Sequence, residues 1–163
     1  MKIQMTRVKT ALFILAIMLT NVPIMADAVI IPISNNLYEV FPEYVGAVNF
    51  IVSGPQLIVA IASLIAAPLM LRVSKKKILV GSGIVCAAGL CLGVAVENVW
   101  FVLICRVVAG FATGFINVAA VALITEIYTD EKKRGNMMGI YNAVMAGIGT
   151  LMGIAAGYLA VGG

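Results

Sequence analysis

VWFVLICRVVAGFATGFINVAAVALITEIY, residues 99–128, holds a single charge, Arg106, before Glu126 near its end. As a helix these thirty residues extend about 45 Å, more than the ~30 Å hydrocarbon layer of a bilayer. A water-facing helix needs a polar stripe along one side, and this stretch has too few polar residues to make one, so it reads as a membrane span. Working outward, similar apolar runs lie at about 8–34, 44–71, 78–96 and 137–161. The expected fold is all-α, a polytopic membrane helix bundle with five transmembrane helices in a single domain over residues 1–163.

Composition agrees with that class. The chain is 63% hydrophobic and 11% charged, with a mean hydropathy of +1.11, whereas soluble domains are about half apolar and a quarter charged. The net charge of +4 sits in short loops beside apolar runs, without a basic face or a stacking platform, so no nucleic acid partner is expected. The partners expected are the lipid bilayer and a small-molecule substrate.

Ten of the eleven basic residues fall in three clusters: Lys2, Arg7 and Lys9; Arg72, Lys75, Lys76 and Lys77; Lys132, Lys133 and Arg134. They alternate with the apolar runs, and the positive-inside rule places all three in the cytoplasm, N-terminus included. The expected location is a cytoplasmic or plasma membrane. The connectors at 35–43 and 97–98 carry no lysine or arginine and are expected outside. Residues 26–28, Ala-Asp-Ala, also fit a signal-peptide cleavage site, but the apolar run continues past them to a spanning length.

Arg106 is the basic residue left over, inside a span, where an unpartnered charge is costly. Asp27 lies at a comparable depth in the first run, on the order of 10 Å below the outer surface. Pairing, hydration or protonation of the aspartate would relieve the cost, and a desolvated carboxylate whose pKa rises can carry a coupling proton. A static buried ion pair, or an aspartate that reaches the outer interface, is the structural alternative. With no histidine in the chain, a histidine relay, a His-ligated metal and a serine-hydrolase triad are excluded within it. Cys86, Cys91 and Cys105 lack metal-ligand spacing and read as small packing residues. No metal, cofactor or enzymatic activity is expected, and no phosphate-binding loop is present.

Arg106, Gly110, Thr113, Gly114 and Asn117 fall on one helical stripe, expected to face protein or an aqueous cavity. Gln56, Asn142 and Thr150 are further candidates for that cavity wall. Glycines at four-residue spacing, Gly89 and Gly93, Gly110 and Gly114, and Gly149, Gly153 and Gly157, predict close helix packing. Gly54-Pro55-Gln56 predicts a kink or local unwinding in the second span.

Two segments resemble the major facilitator superfamily of secondary transporters. Residues 67–79, Ala-Pro-Leu-Met-Leu-Arg-Val-Ser-Lys-Lys-Lys-Ile-Leu, are similar to the family's signature between its second and third helices. Arg72, Lys75, Lys76 and Lys77 supply the basic residues, while Ala67, Leu71 and Ser74 replace its glycine, aspartate and glycine. That resemblance implies a cytoplasmic gating loop; with the aspartate replaced, Glu126 is the carboxylate expected for Arg72. Residues 103–114 resemble the family's fourth-helix motif, in which Arg106 matches the arginine implicated in proton coupling. Lys133-Arg134-Gly135 and Met138-Gly139 resemble the start of its fifth helix. Ile154 replaces the proline of the antiporters' glycine-proline pair, whereas Asp27 followed by Pro32 resembles efflux members.

The resemblance implies proton-coupled transport of a small solute, with efflux favoured over import. It covers the first five helices of a six-helix N-terminal half, within a fold of twelve or more. A truncated or partial transporter is therefore expected, completed by the missing C-terminal helices or by another copy. The alternative is a non-transporting membrane protein, either a remnant or a partner subunit; a membrane enzyme is a more distant third reading.

Overall fold

The computed structural model describes residues 7–25, 27–95 and 98–162. Among the described residues the secondary structure is entirely helical: α1 (Arg7–Leu19), α2 (Asn21–Ile24), α3 (Asp27–Val40), a 3-10 turn at Pro42–Tyr44, α4 (Val45–Leu69), α5 (Lys75–Ala95), α6 (Val99–Ile127) and α7 (Glu131–Gly162). Five stretches are long and apolar enough to cross a membrane: Leu12–Ile31, Pro42–Leu69, Lys75–Gly93, Val99–Ile127 and Glu131–Ala160.

The first apolar run is a broken helix rather than one rod. Pro23 cannot donate to the carbonyl of Leu19, and its ring crowds that carbonyl, so α1 stops there. Thr20 closes the end, its Oγ1 donating to the Ile17 carbonyl at 2.6 Å. The single turn α2 follows and ends at Met25, whose N–H reaches the Asn21 carbonyl at 2.9 Å.

Helix α3 then corrects the expected connector at 35–43, because it continues through Asn35, Asn36 and Glu39 to Val40. The stop is set by Phe41, which precedes Pro42 and takes a non-helical φ of -125° and ψ of 60°. A residue before proline is driven from helical geometry, whereas exposed asparagines alone do not end a helix. Tyr38 Oη donates to Asn49 Oδ1 at 2.7 Å, tying the end of α3 to the start of α4.

Helix α4 runs without interruption through Pro55 and Pro68, so no unwinding occurs at residues 54–56. The Phe50 ring lies 2.6 Å from where a Gly54 Cβ would be; glycine lets that ring fold onto the helix one turn before the proline. Helix starts carry polar caps. Asn98 Oδ1 accepts from Trp100 N at 3.0 Å and Phe101 N at 3.3 Å, and Asp130 Oδ1 accepts from Lys133 N at 2.9 Å. Each satisfies donors that a first helical turn leaves open.

Helix α6 is the axis of the bundle. Ala62 and Ala66 of α4 and Ile78 of α5 meet Phe115 and Ala119 of α6 in one buried cluster. Ile17 of α1 and Met137 and Tyr141 of α7 meet Ala120 and Ile124 in a second, nearer the basic end. Ile24 of α2 and Cys86 of α5 join Ala109, Ala112 and Ile116 in a third. At the opposite end the Tyr44 and Trp100 rings stand edge to face with centroids 6.4 Å apart. Such aromatic residues favour membrane–water interfaces.

Candidate functional site

Small residues let backbones close on both sides of α6. A Cβ on Gly114 would lie 2.7 Å from Ala62 Cβ and 2.7 Å from the Val59 carbonyl oxygen, and one on Gly110 would lie 3.2 Å from the Pro55 carbonyl oxygen. These two glycines are the seats of α4. On the other flank, a Cβ on Gly89 would lie 3.2 Å from the Cys105 carbonyl oxygen, and one on Gly93 would lie 3.5 Å from Cys105 Cβ. Without a hydrophobic drive between helices in lipid, such close approach is what dispersion and helix association depend on.

Between these seams α6 carries its buried polar groups. Arg106 is 8% exposed and Thr113 6%. The Thr113 hydroxyl donates to the Ala109 carbonyl at 2.8 Å and lies 3.6 Å from Cys86 Sγ. Thr113 therefore faces α5, Gly110 and Gly114 face α4, and the sequence stripe is divided between two helix contacts. Asn117 is half-buried, while Gln56 and Asn142 are exposed, as is Thr150, which donates back to the Ala146 carbonyl at 2.9 Å.

The broken first span meets α6 near Arg106. Ile24 and Met25 pack with Ala109 and Ala112, and Met25 Sδ lies 2.8 Å from where a Gly149 Cβ would be. Gly149 thus gives α7 a recess for Met25. Asp27 follows Ile24 by three residues and Arg106 precedes Ala109 by three. Asp27 opens α3, and its side chain lies outside the described residues. Gly153 and Gly157 are half-buried further along α7.

Two buried polar residues escaped the sequence reading as site candidates. Asn21 is completely buried, and neither atom of its amide has a hydrogen-bond partner among the described residues. Tyr141 is 1% exposed; its hydroxyl lies beside Thr20 but out of hydrogen-bonding geometry. An asparagine in the middle of an apolar run was the available signal for the first. Nothing in the sequence distinguished Tyr141 from an interfacial tyrosine.

At the basic end, Lys75 Nζ bonds to Glu126 Oε1 across α5 and α6. This corrects the expected Arg72–Glu126 pairing. Lys75 opens α5 beside the last turn of α6, whereas Arg72 belongs to the preceding turn and is exposed, as are Lys76 and Lys77. Arg134 and Glu131 make a looser exposed pair at 3.8 Å within α7. Among the described residues, no three acidic, cysteine or histidine side chains come together to hold a metal ion.

Five spanning helices, an all-helical core and a buried arginine on the central helix define an integral membrane helix bundle. The chain belongs to the Major Facilitator Superfamily, whose family model matches residues 10–163. That is a family of membrane transporters, which places the function in solute transport across a bilayer. No curated protein and no solved structure is matched by the chain.

Proposed function

We propose that the chain supplies the first five helices of a proton-coupled transporter that exports a small solute, with Asp27 as the proton carrier and Arg106 as its electrostatic partner. The observation that carries this reading is that Ile24, three residues before Asp27, and Ala109, three residues after Arg106, belong to one buried cluster. An ionised Asp27 would attract Arg106 and a protonated Asp27 would not; such a change can bias one arrangement of the break after Leu19 over another. Thr113 and Asn117, with Gln56 and Asn142, are proposed to form part of the polar path. Arg72, Lys76 and Lys77, with the Lys75–Glu126 pair, are proposed to form the cytoplasmic gate of a plasma-membrane protein whose N-terminus is inside.

A second reading, a helical partner subunit, draws on α7, where Leu151, Tyr158 and Leu159 are 69%, 79% and 79% exposed. Such a face suits further helices, whether from the same transporter or from another chain.

The test is solute movement driven by an imposed pH gradient in native membrane vesicles from cells that make the chain. A fluorescent lipophilic dye and a radiolabelled hexose serve as alternative probes. Gradient-driven movement of either probe, abolished by Asp27→Asn and by Arg106→Ala at matched membrane abundance, is expected. Movement that ignores the gradient, or survives Asp27→Asn unchanged, would contradict the coupling role.

A further inference from the structure

A groove of about 480 Å³ lies between α5 and α6, lined by α5 residues Lys77, Gly81, Ser82 and Val85 and by Val108 and Phe111 of α6, among others. The four α5 residues are spaced to share one helix face, so the groove follows the helix axis for about 12 Å. Its walls are almost wholly apolar, and Val85, Val108 and Phe111 are 46%, 41% and 41% exposed. The Phe111 and Phe115 rings, with centroids 5.0 Å apart, form one side of it.

One end of this apolar groove is charged. Lys77 is its single charged lining residue, and it lies in the first turn of α5 within the segment 72–77, which holds Arg72, Lys75 and Lys76 and no acidic residue. Glu126 engages Lys75, which leaves the turn with a surplus of positive charge at the mouth. A hydrated solute finds few hydrogen-bonding partners along such walls, Ser82 being the one neutral polar side chain among the lining residues, whereas a hydrocarbon chain matches them. An anionic headgroup matches the mouth, where lysines at a membrane surface attract acidic lipid.

We propose that the groove binds one anionic phospholipid, with an acyl chain along Gly81, Val85 and Phe111 and its phosphate held by Lys77. Binding weakens with added salt, since the headgroup contact is exposed. The assignment does not depend on transport, and its test reads bound lipid directly.

The intact chain is reconstituted in nanodiscs of phosphatidylcholine containing a minor fraction of phosphatidylglycerol, and retained lipid is counted by native mass spectrometry. Wild type is expected to retain phosphatidylglycerol preferentially. Lys77→Gln is expected to lower that preference roughly fivefold, the scale of one lysine at a membrane surface. Lys76→Gln, outside the groove, is expected to change it less than about twofold on the same scale. Gly81→Leu, at a position where a Cβ meets nothing within 4 Å, fills the groove without a clash and is expected to displace the lipid at unchanged helix content. Equal losses from Lys76→Gln and Lys77→Gln with none from Gly81→Leu would overturn the site in favour of diffuse surface charge. Capture of polypeptide rather than lipid by a photo-crosslinker placed at Val85 would overturn it in favour of a helix docked in the groove.

Discussion

Helices α6 and α7 are similar in length, 29 and 32 residues, and both are apolar enough to span a bilayer, yet 56% of the spanning window of α6 is buried against 6% of that of α7. Hydrophobicity does not separate them, because in lipid an apolar residue gains little from choosing protein over acyl chains. Glycine content does not separate them either. Gly110 and Gly114 on α6 have backbone or a β-carbon within van der Waals reach, whereas Gly135, Gly139 and Gly147 on α7 have nothing within 4 Å of a would-be Cβ. What distinguishes α6 is complementarity on both flanks, with alanines and glycines of α4 and α5 opposite its own. On α7, Gly149 accommodates Met25 in the broken first span, and Tyr141 anchors the basic end.

The sharpest way to break this comparison is a large residue at the tightest contact. Gly114→Leu should lower bundle stability by about 1–3 kcal/mol or more, the cost of overpacking, because Val59 backbone blocks the site; thermal unfolding in detergent micelles would show it. Asn21→Leu probes the place where α2 meets both helices. Replacing an unsatisfied buried amide by an apolar group of similar size should raise stability by about 1 kcal/mol, part of the desolvation penalty removed; lower stability in the same unfolding assay would mean that the amide is satisfied in the membrane.

Smaller effects are expected at the surface. Glu126→Gln should cost about 0.2–1 kcal/mol, as exposed pairs do, and the difference from wild type should shrink as salt rises. Gly139→Ala on α7 should change stability by no more than about 1 kcal/mol, in the favourable direction, since alanine is the better helix former and no neighbour obstructs it. A Gly139→Ala loss as large as that of Gly114→Leu would erase the distinction between the two helices.

The fold was legible where charge punctuates hydrophobicity. Basic clusters at 72–77 and 132–134 separate runs that the structure forms as helices, whereas the central place of α6 in the bundle was not among the expectations. The break after Leu19 was not legible, because a proline in a membrane span reads either as a kink tolerated by its neighbours or as an end. The extension of α3 to Val40 was hidden because Asn35, Asn36 and Glu39 look like loop, although Phe41 before Pro42 carried the true stop. At the site, the partner of Glu126 depends on where α5 begins within a run of three lysines, a matter of one helical turn. The division of the α6 stripe between α4 and α5 depends on the angular positions of two neighbours, which no single helix encodes.

The central claim is the proposed closeness of Asp27 and Arg106, and cross-linking in native membranes tests it most directly. In a chain carrying Cys86→Ala, Cys91→Ala and Cys105→Ala, a short thiol-to-thiol reagent should join Asp27→Cys to Arg106→Cys but not to Asn117→Cys, about 16 Å further along α6. Linking to Asn117→Cys in place of Arg106→Cys would contradict the proposed closeness of Asp27 and Arg106, and with it the proposed coupling pair.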